Sequence, residues 1–200
     1  LVSALERQGQ PSAYLYGRIY PLLSRLLMAL GRFIWLHGED QWLNYERYSN
    51  VKNKTMNNPL LRTAYACSIM VDFFPQIWLK LFAHYSKDRI IVLDRYIYDT
   101  VISDLSAHLD YSTCQTDNAI RLGLRILPTP DVTFLVDLPE EVAFRRKDDV
   151  PHIDYLKKRR GCYRNTVSRP EVKKINGELN IEEIVADMLE YVNALNGRMT

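Results

Sequence analysis

An aspartate followed at once by an arginine, Asp94-Arg95, closes the apolar run 90–93, with Tyr96 next and Asp99 one helical turn further on. Side by side, a carboxylate and a guanidinium suit two tasks around phosphate. The carboxylate can hold Mg²⁺ directly or through water, while the planar guanidinium fork binds phosphate oxygens. A structural ion pair, or an Asp capping the following helix, would use the same two residues. Further cations lie in the stretch 145–164, which holds eight Lys/Arg against three acids. Arg145 and Arg146, then Arg159 and Arg160, flank the loop 148–152 on successive helical patterns. That is the arrangement of a hinged lid that brings positive charge over a migrating group; a solvated basic face has the same composition. Arg18, among Tyr14, Tyr16 and Tyr20, could grip an acceptor phosphate, although such rings are also ordinary core or rim residues. Asp137 and Glu140 have the spacing of a helix-capping pair and are read as structural.

Other chemistries find little support. The four histidines, at 37, 84, 108 and 152, are scattered and suggest no triad. Cys67, Cys114 and Cys162 are odd in number and far apart, with neither a C-x-x-C pair nor an H-E-x-x-H helix for a metal, which suits a reducing, cytoplasmic compartment. A net charge of +2 makes the whole molecule no magnet for nucleic acid or membrane. Within 145–164 only Tyr155 and Tyr163 interleave the cations, too few for a nucleic-acid stacking surface. The apolar stretch 19–36 carries Arg25 and Arg32 two turns apart, so it reads as an amphipathic helix rather than a membrane span.

These residues need elements to position them. The 200 residues, 47% hydrophobic and 25% charged, suit one globular domain. Residues 1–8 read as a helix ended by Gly9, and Ala13 to Tyr16 as a short strand closed by Gly17. Pro21 opens a helix with a stripe of Leu22, Leu23, Leu26, Leu27 and Leu30. The polar stretch 38–58 shows no clear pattern. A long helix follows over 60–85, kinked at Pro75. The runs 89–93 and 132–136 are continuously apolar, as strands buried on both faces are. Helices are expected at 98–109, 117–127, 139–147, 153–166 and 181–195, with a short strand around 172–175. Strands alternating with helices mean a parallel α/β sheet, whose ligands bind beyond the carboxyl ends of its strands.

At this point the pattern resembles a known family. Ile90-Ile91-Val92-Leu93-Asp94-Arg95-Tyr96-Ile97-Tyr98-Asp99 resembles the strand and Asp-Arg-Tyr/His signature of thymidylate kinases, which are P-loop nucleoside-monophosphate kinases. The segment from Pro130-Asp131-Val132-Thr133 through Asp137 to Glu141-Val142-Ala143 is similar to that family's P-D-x-T strand and the helix after it. Arg145-Arg146-Lys147 falls where the lid starts. Tyr155, Arg160 and Tyr163 resemble the helix after the lid, and Ile175-Asn176-Gly177 resembles the last strand and its adenine-side loop. Order and spacing match over about residues 90–195 and only loosely before them.

The resemblance implies a single nucleotide-kinase domain over residues 1–200, α/β with a doubly wound parallel sheet and flanking helices, and a lid at about 145–160. It implies transfer of the ATP γ-phosphate, with Mg²⁺, to a nucleoside 5′-monophosphate, dTMP above all. Asp94 would lie near the metal and phosphates, and Arg95 at the acceptor phosphate. Arg145 and Arg146 would neutralise the transition state, with Arg145 and Asn176 on the ATP side. Arg18, Tyr96 and Asp99 would serve the acceptor, as would Asp72 and Phe73 of the long helix. A homodimer packed through helices is implied, with nucleic acid and membrane excluded as partners. A deoxynucleoside kinase, or a non-catalytic kinase-like protein, are the neighbouring readings. Two departures stand out. No G-x-x-x-x-G-K-[ST] occurs, which implies that residues 1–8 are the helix after an absent phosphate-gripping loop, and that the first, central strand is also missing. The family's Asp-Arg pair in the long helix is here Asp72-Phe73.

Overall fold

A computed structural model describes residues 1–31, 33–34, 50–51, 54–85, 89–146, 152–166, 169 and 172–199. The stretch 38–58, which the sequence leaves unassigned, falls largely outside them, as does most of the expected lid loop 148–152. Helix α1 (Val2–Arg7) leads through Gly9, at φ +74°, into strand β1 (Ser12–Tyr16). Helices α2 (Leu23–Gly31) and α3 (Pro59–His84) follow, then β2 (Ile90–Asp94). A composite helix comes next: α4 (Ile97–Asp99), a π-helical segment Thr100–Ser106 and α5 (Ala107–Leu109). The chain continues with α6 (Thr113–Ile126), β3 (Thr133–Asp137), α7 (Glu140–Arg145), α8 (Ile153–Thr166), β4 (Val172–Asn176) and α9 (Ile181–Met199).

The strands form two parallel pairs. β1 pairs with β2 in the register Ser12–Ile90 to Tyr16–Asp94, and β3 with β4 in the register Thr133–Val172 to Asp137–Asn176. Each pair ends alike. The amide of Gly17 donates to the Asp94 carbonyl at 2.8 Å, and that of Gly177 to the Asp137 carbonyl at 2.9 Å. Glycine is needed at both closures. A Cβ on Gly17 would meet the Arg95 carbonyl oxygen at 1.9 Å, and one on Gly177 the Asp137 carbonyl oxygen at 2.9 Å. Among the described residues β2 and β3 do not pair with each other, so the sheet is divided. Their apolar runs suit burial on both faces, yet Ile90 to Leu93 and Thr133 to Leu135 are only half-buried, because the open edges border a cavity.

The densest core lies beside the strands, where Ile69, Phe73 and Ile77 of α3 meet Ile97, Val101, Ile102 and Ile120. Helix α3 starts on Asn58, whose side chain accepts from the amides of Leu60 and Leu61, with Pro59 at the first turn. It runs on through Pro75, which leaves the Val71 carbonyl without its amide donor on an exposed stretch of helix. By length and composition this helix could cross a membrane, but it sends Tyr65, Ile69, Phe73 and Ile77 into the protein core. The leucine stripe of α2 is a different case. Leu22, Leu26 and Leu30 are 67%, 64% and 56% exposed, so among the described residues this stripe is surface rather than core.

Candidate functional site

At the tip of β2 the chain turns sharply. Arg95 has φ +69°, a left-handed conformation that an arginine adopts only at a cost. The turn is imposed from both sides: Asp94 is tied to Gly17 through its carbonyl, and Tyr96 begins the next helix with its ring buried and its hydroxyl donating to the Pro128 carbonyl at 2.9 Å. Arg95 then donates to Asp99 Oδ1 at 2.6 Å. The same oxygen accepts from the Tyr163 hydroxyl, and Ser103 Oγ lies 3.0 Å from that hydroxyl. Burial works against the charge on Arg95, but the Asp99 carboxylate outweighs it and holds the guanidinium's pKa above its ordinary value. Arg95 is thereby a fixed, permanently charged fork with part of its surface still open. The Asp94 carboxylate is exposed and accepts from the Tyr14 hydroxyl at 2.9 Å.

The tip of β3 is built on a different aspartate. Asp137 Oδ1 accepts from Arg160 Nε at 2.8 Å, and its Oδ2 faces Lys174 Nζ at 2.8 Å. Arg160 also bonds Glu140. The hydrogen bond from Arg160, with Lys174 adding to it, pulls the Asp137 carboxyl down to about 2 against the effect of burial. This corrects the capping reading of Asp137 and Glu140. Helix α7 begins at Glu140 behind Pro139 with no side-chain cap, and both carboxylates are engaged by Arg160 instead.

One cavity of about 810 Å³ borders β2 and β3 along their length and reaches both tips. Arg18, Asp94, Arg95, Asp104, Arg159 and Arg160 line it, together with Tyr96 and Asp99. Arg159 is held from two sides. It stacks on the Tyr155 ring at 3.5 Å and donates to the Ser103 carbonyl at 3.4 Å and to His108 Nε2 at 3.2 Å. An arginine only donates, so His108 accepts there, and its ring proton faces the Tyr65 hydroxyl, 3.1 Å from Nδ1. Asp104 sits in the π-helical segment, where burial pushes its carboxyl up to about 6 despite the pull of Arg18, and of Arg159 and Arg95 beyond it.

Arg18, Asp94, Arg95, Tyr96 and Asp99 all line this one cavity. Other candidates lie elsewhere. Asp72 uses its carboxylate to cap α2, accepting from the amides of Leu22, Leu23 and Ser24 at 2.9–3.0 Å and from Ser24 Oγ at 2.7 Å. Phe73 is fully buried, edge-on to Phe74. Arg145 donates to the Glu141 carbonyl and Arg146 to the Gly177 carbonyl, so neither faces the cavity. Asn176 accepts from the Glu178 amide in the turn after β4. In place of Arg145 and Arg146, the cavity takes Arg159 and Arg160 from the opposite side of the same basic stretch. Asp104 and Ser103 were not legible as site residues. Their one signal is polarity inside the apolar run Val101-Ile102-Ser103-Asp104-Leu105. Among the described residues no group of three or more His, Cys, Asp or Glu side chains is gathered for a metal.

Arginines and carboxylates thus meet at the open ends of parallel strands. The chain is similar to a probable thymidylate kinase. The match, to a protein of Sulfolobus acidocaldarius, is 33% identical over 112 residues and covers 52% of this chain and 55% of that protein. The chain thus spans about half the length of the curated relative it matches. No family model matches it.

Proposed function

We propose that this chain belongs to a cytoplasmic nucleotide kinase that moves the γ-phosphate of ATP to a nucleoside 5′-monophosphate, with dTMP the favoured acceptor. One observation carries the reading: Arg95, locked by Asp99 and Tyr163 in a left-handed turn at a strand tip, shares a cavity with Arg18, Arg159 and Arg160. Phosphoryl transfer asks a protein mainly for positioned positive charge; Arg95 and Arg160 bring it already paired with Asp99 and with Asp137 and Glu140, and Arg18 and Arg159 add to it in the same space. In this scheme Arg95 and Arg18 hold the acceptor phosphate, while Arg159 and Arg160 face the transferred group. The similarity to a probable thymidylate kinase supports the same acceptor.

Asp94 fits Mg²⁺ as a single carboxylate ligand, the usual protein share where phosphates and water complete the shell. The ion, when bound, would neutralise phosphate charge. The fit for ATP is partial. The cations are present, but no G-x-x-x-x-G-K-[ST], the motif whose backbone cradles the β- and γ-phosphates, occurs in the 200 residues. These residues alone are therefore expected to bind ATP poorly and to be inactive. A homodimer joined through α2 and α3 belongs to the proposal, since both helices expose apolar side chains.

Acceptor binding can be tested without the ATP grip. Titration calorimetry on the 200-residue chain should show dTMP binding at least about tenfold more tightly than thymidine, and Arg95→Ala should erase that difference. Equal affinity for the two, or preference for thymidine, would reject a monophosphate acceptor.

A further inference from the structure

We infer that the cavity binds a phosphomonoester together with one proton, which Asp104 takes from solvent as the neighbouring arginines turn to the phosphate. The inference rests on the reading that these arginines hold the acceptor phosphate, and it names what that phosphate displaces. Asp104 is a half-buried residue on the cavity wall, in the π-helical segment. The other acids of this space are committed: Asp99 to Arg95 and Tyr163, Asp137 to Arg160 and Lys174, and Glu140 to Arg160. Asp94 is exposed and accepts from Tyr14. Among the described residues no hydrogen bond or ion pair reaches the Asp104 carboxylate. Burial works against its charge, Arg18 and then Arg159 and Arg95 favour it from a distance, and Asp99 opposes it.

Those three arginines are also what a phosphate needs. A phosphomonoester is a dianion above its second pKa of about 6, so at neutral pH it brings two negative charges into the space that Asp104 faces. It draws the guanidiniums to itself, and a like charge nearby disfavours the ionised carboxyl. That carboxyl titrates at about 6 with no ligand present, so a modest further push carries it through neutral pH. Once neutral, it no longer repels the phosphate and has an O–H to donate. The other titratable groups around Asp104 are placed differently. The Tyr65 hydroxyl of α3 donates to the Asp104 carbonyl at 3.4 Å and already carries its proton. Burial holds the Tyr163 hydroxyl of α8 above its ordinary pKa, so it too is protonated. His108, one turn further on, accepts from Arg159 and competes for the incoming proton.

Calorimetry of dTMP binding to the 200-residue chain at pH 7.5, without added Mg²⁺ and in two buffers of different ionisation enthalpy, counts the protons. Uptake of about half a proton or more per dTMP is expected, with binding weakening about fivefold from pH 7.0 to 8.5. Thymidine, which lacks the phosphate, should cause no uptake. Asp104→Asn, which cannot titrate, should abolish the uptake and flatten the pH dependence. Uptake that survives in that variant would assign the proton to another group such as His108 and overturn the inference, as would equal uptake with thymidine. Binding of dTMP to the parent with no proton uptake would overturn it too, while leaving the phosphate site standing. Absence of dTMP binding at every pH would instead remove the phosphate reading, and the inference with it.

Discussion

Asp104 carries its carboxyl into a cavity where burial favours the neutral form, and its pKa rises to about 6. A carboxyl raised in the folded state contributes stability that is complete below its unfolded value of about 3.9 and is lost as pH rises through 6. Asp104→Asn should therefore be more stable than the parent by about 1–2 kcal/mol at pH 7.5, with the difference shrinking as pH falls below 6. Urea melts across that range would show it, and a pH-independent difference would refute the assignment. Asp137 has the opposite sign. Its carboxyl is held at about 2, so its contribution is present above pH 4 and is lost as pH falls toward 2. Asp137→Asn should cost on the order of 2 kcal/mol at neutral pH and flatten acid unfolding between pH 4 and 2. Asp94, Arg95 and Arg18 were legible in the sequence because an apolar run followed by charge marks a strand tip. Asp72 was not, since its cap on α2 joins residues 48 to 50 positions apart. Nor could composition say which pair of arginines in 145–164 faces inward.

The elements themselves were largely written in local pattern. All four strands and the helices over residues 60–85, 153–166 and 181–195 follow from apolar periodicity, with Asn58, Pro59 and Gly9 as end signals. The π-helical Thr100–Ser106 has no such signature, because its wider turn answers to tertiary packing around Ser103 and Asp104. Gly17 and Gly177 are turn residues in the sequence, and only the structure separates their demands. Gly17→Ala places a methyl group 1.9 Å from a backbone oxygen and should cost about 3 kcal/mol, whereas Gly177→Ala, at 2.9 Å, should cost about 1 kcal/mol. Denaturant midpoints of the two variants, measured side by side, check the order. The larger loss should come with disturbance of Arg95, whose carbonyl is the atom struck.

The surface of the whole molecule is uneven. Leu26 and Leu30 of α2 and Leu79 and Phe82 of α3 are between 56% and 83% exposed, so both helices carry apolar side chains on the surface. If the proposed homodimer uses them, Leu79→Glu should shift sedimentation from dimer to monomer without altering the helical circular dichroism signal. A parent chain that is monomeric at high concentration would exclude that dimer. The sequence left the faces at 22–34 and 60–82 open between core and dimer surface, because amphipathic spacing does not say what lies opposite. The brace provided by α8 has a last consequence. Arg160 and Tyr163 project from one stiff rod about 4.5 Å apart along its axis, so a tug on either carboxylate is felt by the other. A ligand that loosens Arg160 from Asp137 at one half of the molecule would shift Tyr163 against Asp99, and so re-aim Arg95 in the other half: the two halves would sense each other's occupancy through a lever, with no strand passing the message.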